Sequence, residues 1–167
     1  MTENEYYIAW PEAIDIDVNI EWSQPYTHEV LFSELAPEDE TAYLYSIVAK
    51  FEKEWTPLYI GMVYDQSVSE RHKSEDHKAR MDLLKQRYKD KLFYVTLGTP
   101  SFKKGRISSS AIKAIEQLLT YCNWSDKMIN EKNIEYCAIS SQVRILNKGF
   151  IEHVCEETAY GVFYRGA

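Results

Sequence analysis

The sequence predicts an α+β fold, a small antiparallel or mixed β-sheet with flanking helices, on three observations. The stretch Ile14 to Trp22 alternates without error, with Ile14, Ile16, Val18, Ile20 and Trp22 on one face and Asp15, Asp17, Asn19 and Glu21 on the other. That period of two is a half-buried strand. Several other short runs rich in aromatic and β-branched residues are bounded by polar or turn-forming connectors, as strands are. Between these runs lie two longer stretches with the composition of helices.

Taken in order, His28 to Leu35 is a second strand candidate, and the turn residues Ala36 to Glu40 lead into Ala42 to Phe51, which is again strand-like. Glu52 to Trp55 is a polar connector to the next strand, Pro57 to Val63, and so short a link favours an antiparallel hairpin. Ser69 to Lys91 has no glycine, no proline and many charges, the make-up of a helix. Leu92 to Gly98 is a strand, and Thr99 to Arg106, with its proline and glycine, a loop. Ser108 to Trp124 opens with serines suited to an N-cap. It continues with Ile112, Ile115, Leu118, Leu119 and Cys122 at helical spacing, an amphipathic helix that Asn130 to Asn133 is expected to end. Tyr136 to Leu146 and Ala159 to Gly166 complete the set as strand candidates. With no repeat, low-complexity tract or linker, residues 1–167 are expected to form a single domain.

The 167 residues, 45% apolar and 14% aromatic, are enough to bury a core. No apolar run approaches the roughly 18 residues of a membrane span. The opening Met1 to Tyr7 carries two glutamates and no basic region of a secretory signal, so a membrane partner is not expected. Cys122, Cys137 and Cys155 form no CxxC pair and are odd in number, which points to reduced thiols and a cytoplasmic chain. The net charge of −7 is unevenly spread. Met1 to Ala49 holds eleven acidic residues and no lysine or arginine, whereas Lys50 to Arg106 holds thirteen basic against eight acidic. Overall acidity argues against a protein that binds polyanions with its whole surface. The basic middle third keeps a local polyanion-facing surface open, beside the reading that its lysines belong to solvated helix faces.

Within that middle third, Tyr43 to Tyr45 (YLY) on one strand and Tyr59 to Gly61 (YIG) on the next are followed by Arg71 in the first helix, Glu116 in the second and Asn130 after it. In this order and on these kinds of element, the set resembles the GIY-YIG nuclease family. The resemblance covers Tyr43 to Asn133, leaving 1–42 as an acidic strand-bearing extension and 134–167 as a second one. Tyr43 stands where the family has its first glycine, and Glu75 where it often has a histidine one turn after the arginine.

The resemblance implies hydrolysis of a phosphodiester in nucleic acid, DNA in preference to RNA, with Tyr45, Tyr59, Arg71, Glu116 and Asn130 as catalytic residues. It also implies Mg²⁺, or Mn²⁺, held at Glu116. By angle, Glu116 lies about 40° from Ile112 and about 60° from Leu119, at the edge of the apolar stripe, where a carboxylate is held firmly and still reaches a cleft. Arg71 offers a fork of donors matched to phosphate oxygens. Tyr45 and Tyr59 would orient the attacking water or, with a nearby cation lowering a phenol from its ordinary pKa of about 10, act as base. Asn130, or Asn133 in its place, would bond backbone or substrate. His72, Lys73 and His77 are candidates for phosphate contact, and Gly61 lets the chain leave its strand or a phosphate come close.

Two other classes of function fit the same residues. One is a GIY-YIG-like module that binds nucleic acid or protein without turnover. The other is an interaction protein whose acidic first 49 residues meet a basic partner or shield the basic segment. A homodimer would suit cleavage of two strands by a chain with one site.

Overall fold

The computed structural model describes residues 14–29 and 41–161. The alternation at the start is realised as β1, Ile16–Trp22, with Ile16, Val18, Ile20 and Trp22 buried and the acidic face half-buried or exposed. Two residues, Tyr26–Thr27, form β2. The expected hairpin is β3, Leu44–Phe51, and β4, Glu54–Met62. It turns on Glu52 and Lys53, with Glu52 at φ 57°. The helical stretch follows as α1, Val68–His72, and α2, Glu75–Arg87. Then come β5, Tyr94–Lys104, α3, Ser109–Cys122, β6, Val143–Gly149, and β7, Glu157–Tyr160.

The α+β class stands: one mixed sheet runs β4-β3-β5-β1-β6-β7, with β2 also paired to β5. Every pairing is antiparallel except β1 with β6. Alternate residues of the strands feed two apolar layers. On one face β1, Leu44 and Ile60 pack with Ile112, Ile115, Leu118 and Leu119 of α3, each such side chain gaining about 2 kcal/mol on burial. On the other, Tyr45, Ile47, Val95 and Leu97 pack with Val68, Met81 and Leu84 of α1 and α2. No helix among the described residues is long and apolar enough to cross a membrane.

Four expectations about the elements need correction. Ser69 to Lys91 is two helices, because Ser74 accepts from His77 N at 3.3 Å and donates to Arg71 O at 2.8 Å, closing α1 and capping α2. Thr99 to Arg106 is not a loop: β5 runs through it to Lys104, and among the described residues this part pairs with β1 alone, since the pairing with β3 ends at Leu44, opposite Gly98. On that one-sided stretch Pro100 is tolerated as on an edge strand. α3 ends at Cys122, with Asn123 bonding Leu119 O, well before Asn130. β6 begins at Val143 rather than Tyr136, where in-out alternation starts; Tyr136 itself is exposed. The candidate strand from His28 lies, beyond Glu29, outside the described residues, as does Ala159 to Gly166 beyond Gly161.

The outer edge of the sheet at β4 positions the site. Register shifts there, Ile47 facing Tyr59 and Val48 facing Pro57, so Leu58 is an extra residue that bends the strand. Residues after α3 cover this edge: Ile129 N donates to Leu58 O at 2.8 Å, and the Asn130 amide grips Ile60, accepting from its N at 3.1 Å and donating to its O at 2.8 Å. A side-chain amide thus replaces the missing neighbour strand.

Candidate active site

Tyr45 on β3 and Gly61 on β4 are direct cross-strand partners. A Cβ at Gly61 would lie 2.6 Å from the Tyr45 ring, so Gly61 clears the space into which that ring lies. Tyr59 projects from the same face, its ring 6.0 Å from that of Tyr45. Tyr45 is buried and its hydroxyl is bonded by the Arg71 side chain and to Tyr59. Arg71 also donates to Ser74 Oγ at 3.5 Å, so α1 and its closing turn hold the guanidinium in place.

Tyr59 opens onto a cleft of about 450 Å³ at the β4 edge, where the two helical layers meet. Arg80 of α2, Lys113 and Glu116 of α3, and Asn130 and Lys132 of the covering segment line the rest. Arg80 stacks its guanidinium 4.7 Å from the centre of the Tyr59 ring, and its Nη1 is buried without a hydrogen-bond partner. Glu116 is half-buried, and burial pushes its carboxyl up to about 7, against the pull of Lys113 and Lys132. Its negative charge is felt at Tyr59.

Three of the sequence-selected residues, Tyr59, Glu116 and Asn130, therefore share one cleft, and Asn133, with φ 63°, lines it too. Tyr45 and Arg71 stand behind Tyr59. Asn130 takes the backbone-bonding alternative, since both ends of its amide are spent on Ile60. Lys73 caps α1 and is exposed away from the cleft lining. His72 and His77, only 1% and 0% exposed, point inward, where an external phosphate has no access to either ring. The phenols differ from the base expectation as well. Burial raises both Tyr45 and Tyr59, outweighing Arg71 and Arg80, so at neutral pH both keep their protons.

Sequence reasoning missed Arg80, Lys113 and Lys132. Lys113 had a signal, since i,i+3 spacing places it one turn before Glu116 on the same helical face. Arg80 had none, because the break at Ser74 re-aims α2 relative to α1. Lys132 depends on where the irregular segment after α3 returns to the sheet.

The donor set suits a hard divalent ion. Such an ion takes few protein oxygens and keeps several waters. Glu116 and Glu131 are the carboxylates that border this cleft of about 450 Å³ and could hold such an ion. Compared with known proteins, the chain matches no family model, no curated protein and no solved structure.

Proposed function

We propose that this cleft is the catalytic centre of a GIY-YIG-type endonuclease that hydrolyses phosphodiesters in nucleic acid, DNA in preference to RNA. The observation that carries this reading is one half-buried carboxylate facing a phenol, an arginine and two lysines in a cleft beside the β4 edge of a β-hairpin. Glu116 would hold Mg²⁺ or Mn²⁺, which when bound neutralises phosphate charge and makes a bound water more acidic. Arg80, which lines the cleft with its guanidinium over the Tyr59 ring, would donate to a phosphate oxygen. Lys113 and Lys132 attract the polyanion to the cleft, and Tyr59, kept protonated, orients the attacking water through its hydroxyl. Arg71 acts through Tyr45, holding the tyrosine pair in register.

The test is cleavage of plasmid, single-stranded DNA and RNA in Mg²⁺ and in Mn²⁺. Removing one preorganised charged group from such a centre typically costs about 10²–10³ in rate. Losses of that order or greater are expected for Glu116→Ala and Arg80→Ala, with far-UV circular dichroism unchanged. Equal cleavage by wild type and Glu116→Ala would sink the assignment.

A second reading, a module that binds nucleic acid without cutting it, is favoured by the two protonated phenols and by Tyr43 in the family's glycine position. It predicts affinity that falls with salt and no product in either metal.

A further inference from the structure

His28, distant in sequence, and His72 and His77, five residues apart, converge on the inner side of the tyrosine pair. The break at Ser74 folds α1 against α2 so that His72, near the end of one, meets His77, in the first turn of the other, with ring centres 3.7 Å apart. His28, just past β2, is brought over them by its backbone bond to Phe93 O at 3.2 Å. One ring nitrogen from each of the three lies within 4.8 Å of those of the others.

Their hydrogen bonding is that of ligands rather than of satisfied core side chains. His72 Nδ1 lies 2.8 Å from Val68 O, an acceptor only, so Nδ1 carries the proton and Nε2 is left bare, buried and without a partner. A ring held through one nitrogen by a backbone carbonyl, with the other free, is the usual posture of a metal-bound histidine. His77 turns its Nε2 toward His28 Nε2 and so presents that nitrogen to the same point, while its Nδ1 is buried without a partner. His72 Nε2, left bare beside two other imidazoles, is a buried acceptor that an ion would satisfy.

We propose that His28, His72 and His77 bind one transition-metal dication of the zinc class, at a site separate from the Glu116 cleft. This goes beyond the nuclease reading and does not rest on it. The Nε2 atoms of His28 and His77 are 3.4 Å apart, and two nitrogens on one tetrahedral zinc, each at about 2.0–2.1 Å, lie roughly 3.3–3.4 Å from one another. Imidazoles sharing such an ion have ring centres roughly 5 Å apart; His28 stands 5.3 Å from His72 and 5.6 Å from His77. The His72 and His77 ring centres, 3.7 Å apart, are closer than that and would have to separate for both to ligate one ion.

Burial lowers all three histidines below their ordinary range, which keeps them in the neutral form that ligates. Glu29 acts on His28 with opposite charge, while Lys85, Arg71 and Arg80 act on the cluster with like charge. An ion that depends on charge and oxygen donors, as Mg²⁺ does, is therefore disfavoured, and one that bonds strongly to nitrogen is favoured. His28 also forms part of the wall of a cleft of about 220 Å³ beside Lys85 and Tyr88, so the outer member of the cluster borders accessible space. The bound ion would pin the α1–α2 junction to the β2 end and so fix Arg71 and Arg80 against the tyrosines.

The test uses the full chain, stripped with chelator and titrated with Co²⁺, then Zn²⁺, with thermal unfolding followed in parallel. One Co²⁺ per chain with an intense visible band, displaced by Zn²⁺, and a melting temperature raised by one equivalent of Zn²⁺ are expected. His28→Gln, at a half-buried position, should stay folded by circular dichroism and lose at least the roughly 10- to 100-fold in affinity that loss of even an outer partner costs. Glu116→Ala should bind Co²⁺ as wild type does. No visible band in the wild type would overturn the proposal, leaving a His28–His77 hydrogen bond between neutral rings. A band unchanged in a folded His28→Gln, or abolished in Glu116→Ala, would overturn it as well.

Discussion

The two faces of the sheet are built from different materials. α3 buries seven of its fourteen residues, all but Thr120 apolar, on strands that offer isoleucine, valine and tryptophan. α2 buries only His77, Met81 and Leu84 of its thirteen, and the face beneath it carries Tyr45 together with the imidazole cluster and the Arg71 guanidinium. Hydrophobic burial dominates the first face, where the buried polar groups are few: Trp22 Nε1 donates to Asn147 Oδ1, while Thr120 and His153, the latter packed on Trp22 and Phe150, have polar atoms without a partner. On the second face buried polar groups each need one, and several are unpartnered in the protein alone. The contrast separates a face packed almost wholly by apolar side chains from one whose buried layer includes imidazole, phenol and guanidinium groups. Glu116 belongs to α3, on the first face, but reaches round the β4 edge toward the other layer.

If that division is right, equal truncations should not cost the same. Ile115, fully buried in the α3 layer, should lose about 3–5 kcal/mol on mutation to alanine. Met81→Ala, on a helix most of whose residues are exposed, should fall near or below the bottom of the roughly 2–5 kcal/mol range for such changes. Urea unfolding of both variants measures the gap. A Met81→Ala as costly as Ile115→Ala would mean that the α2 face is as firmly packed as its opposite and that the comparison fails.

The seam between the faces can be broken at Asn130. Alanine there leaves both the N–H and the C=O of buried Ile60 without their partner, a loss of about 2–4 kcal/mol if neither finds water. Hydrogen exchange should show faster exchange at the Ile60 amide while amides of β1 keep their protection. Unchanged exchange at Ile60 would show that the segment after α3 stays on the β4 edge without the clamp.

What could be read in the sequence follows the same division. β1 and α3 were legible because burial on the apolar face imprints a period, two for Ile16 to Trp22 and helical for Ile112 to Leu119. Glu116 was legible for the same reason, as a charge at the margin of that stripe. Pro100 hid the far half of β5, since a proline reads as a loop unless one knows that the neighbouring strand has already ended. The second face left little pattern: Ser74, a single capping side chain, divides what composition joins, and the direction α2 then takes decides where Arg80 and His77 point. His28 meets His72 and His77 through tertiary folding alone, which no local spacing records.

The smallest expected effect is also the most specific to the seam. Glu116 has its carboxyl raised to about 7 from an ordinary 4.5, chiefly by burial. Between these values the unfolded chain has released a proton that the folded protein retains, so folding grows less favourable as pH rises through that window and levels off above it. Below about 4.5 both states are protonated and the burial of a charge costs nothing. Glu116→Gln keeps the shape and removes the titration. It should match the wild type at pH 4.5 and exceed it at pH 8 by about 1–3 kcal/mol, a range that allows for partial exposure of the carboxyl. Saturating Mg²⁺ should narrow the gap at pH 8, because an ion that binds the folded carboxylate stabilises only the wild type. A gap that is the same at both pH values would place Glu116 in solvent and remove it from the meeting point of the two faces.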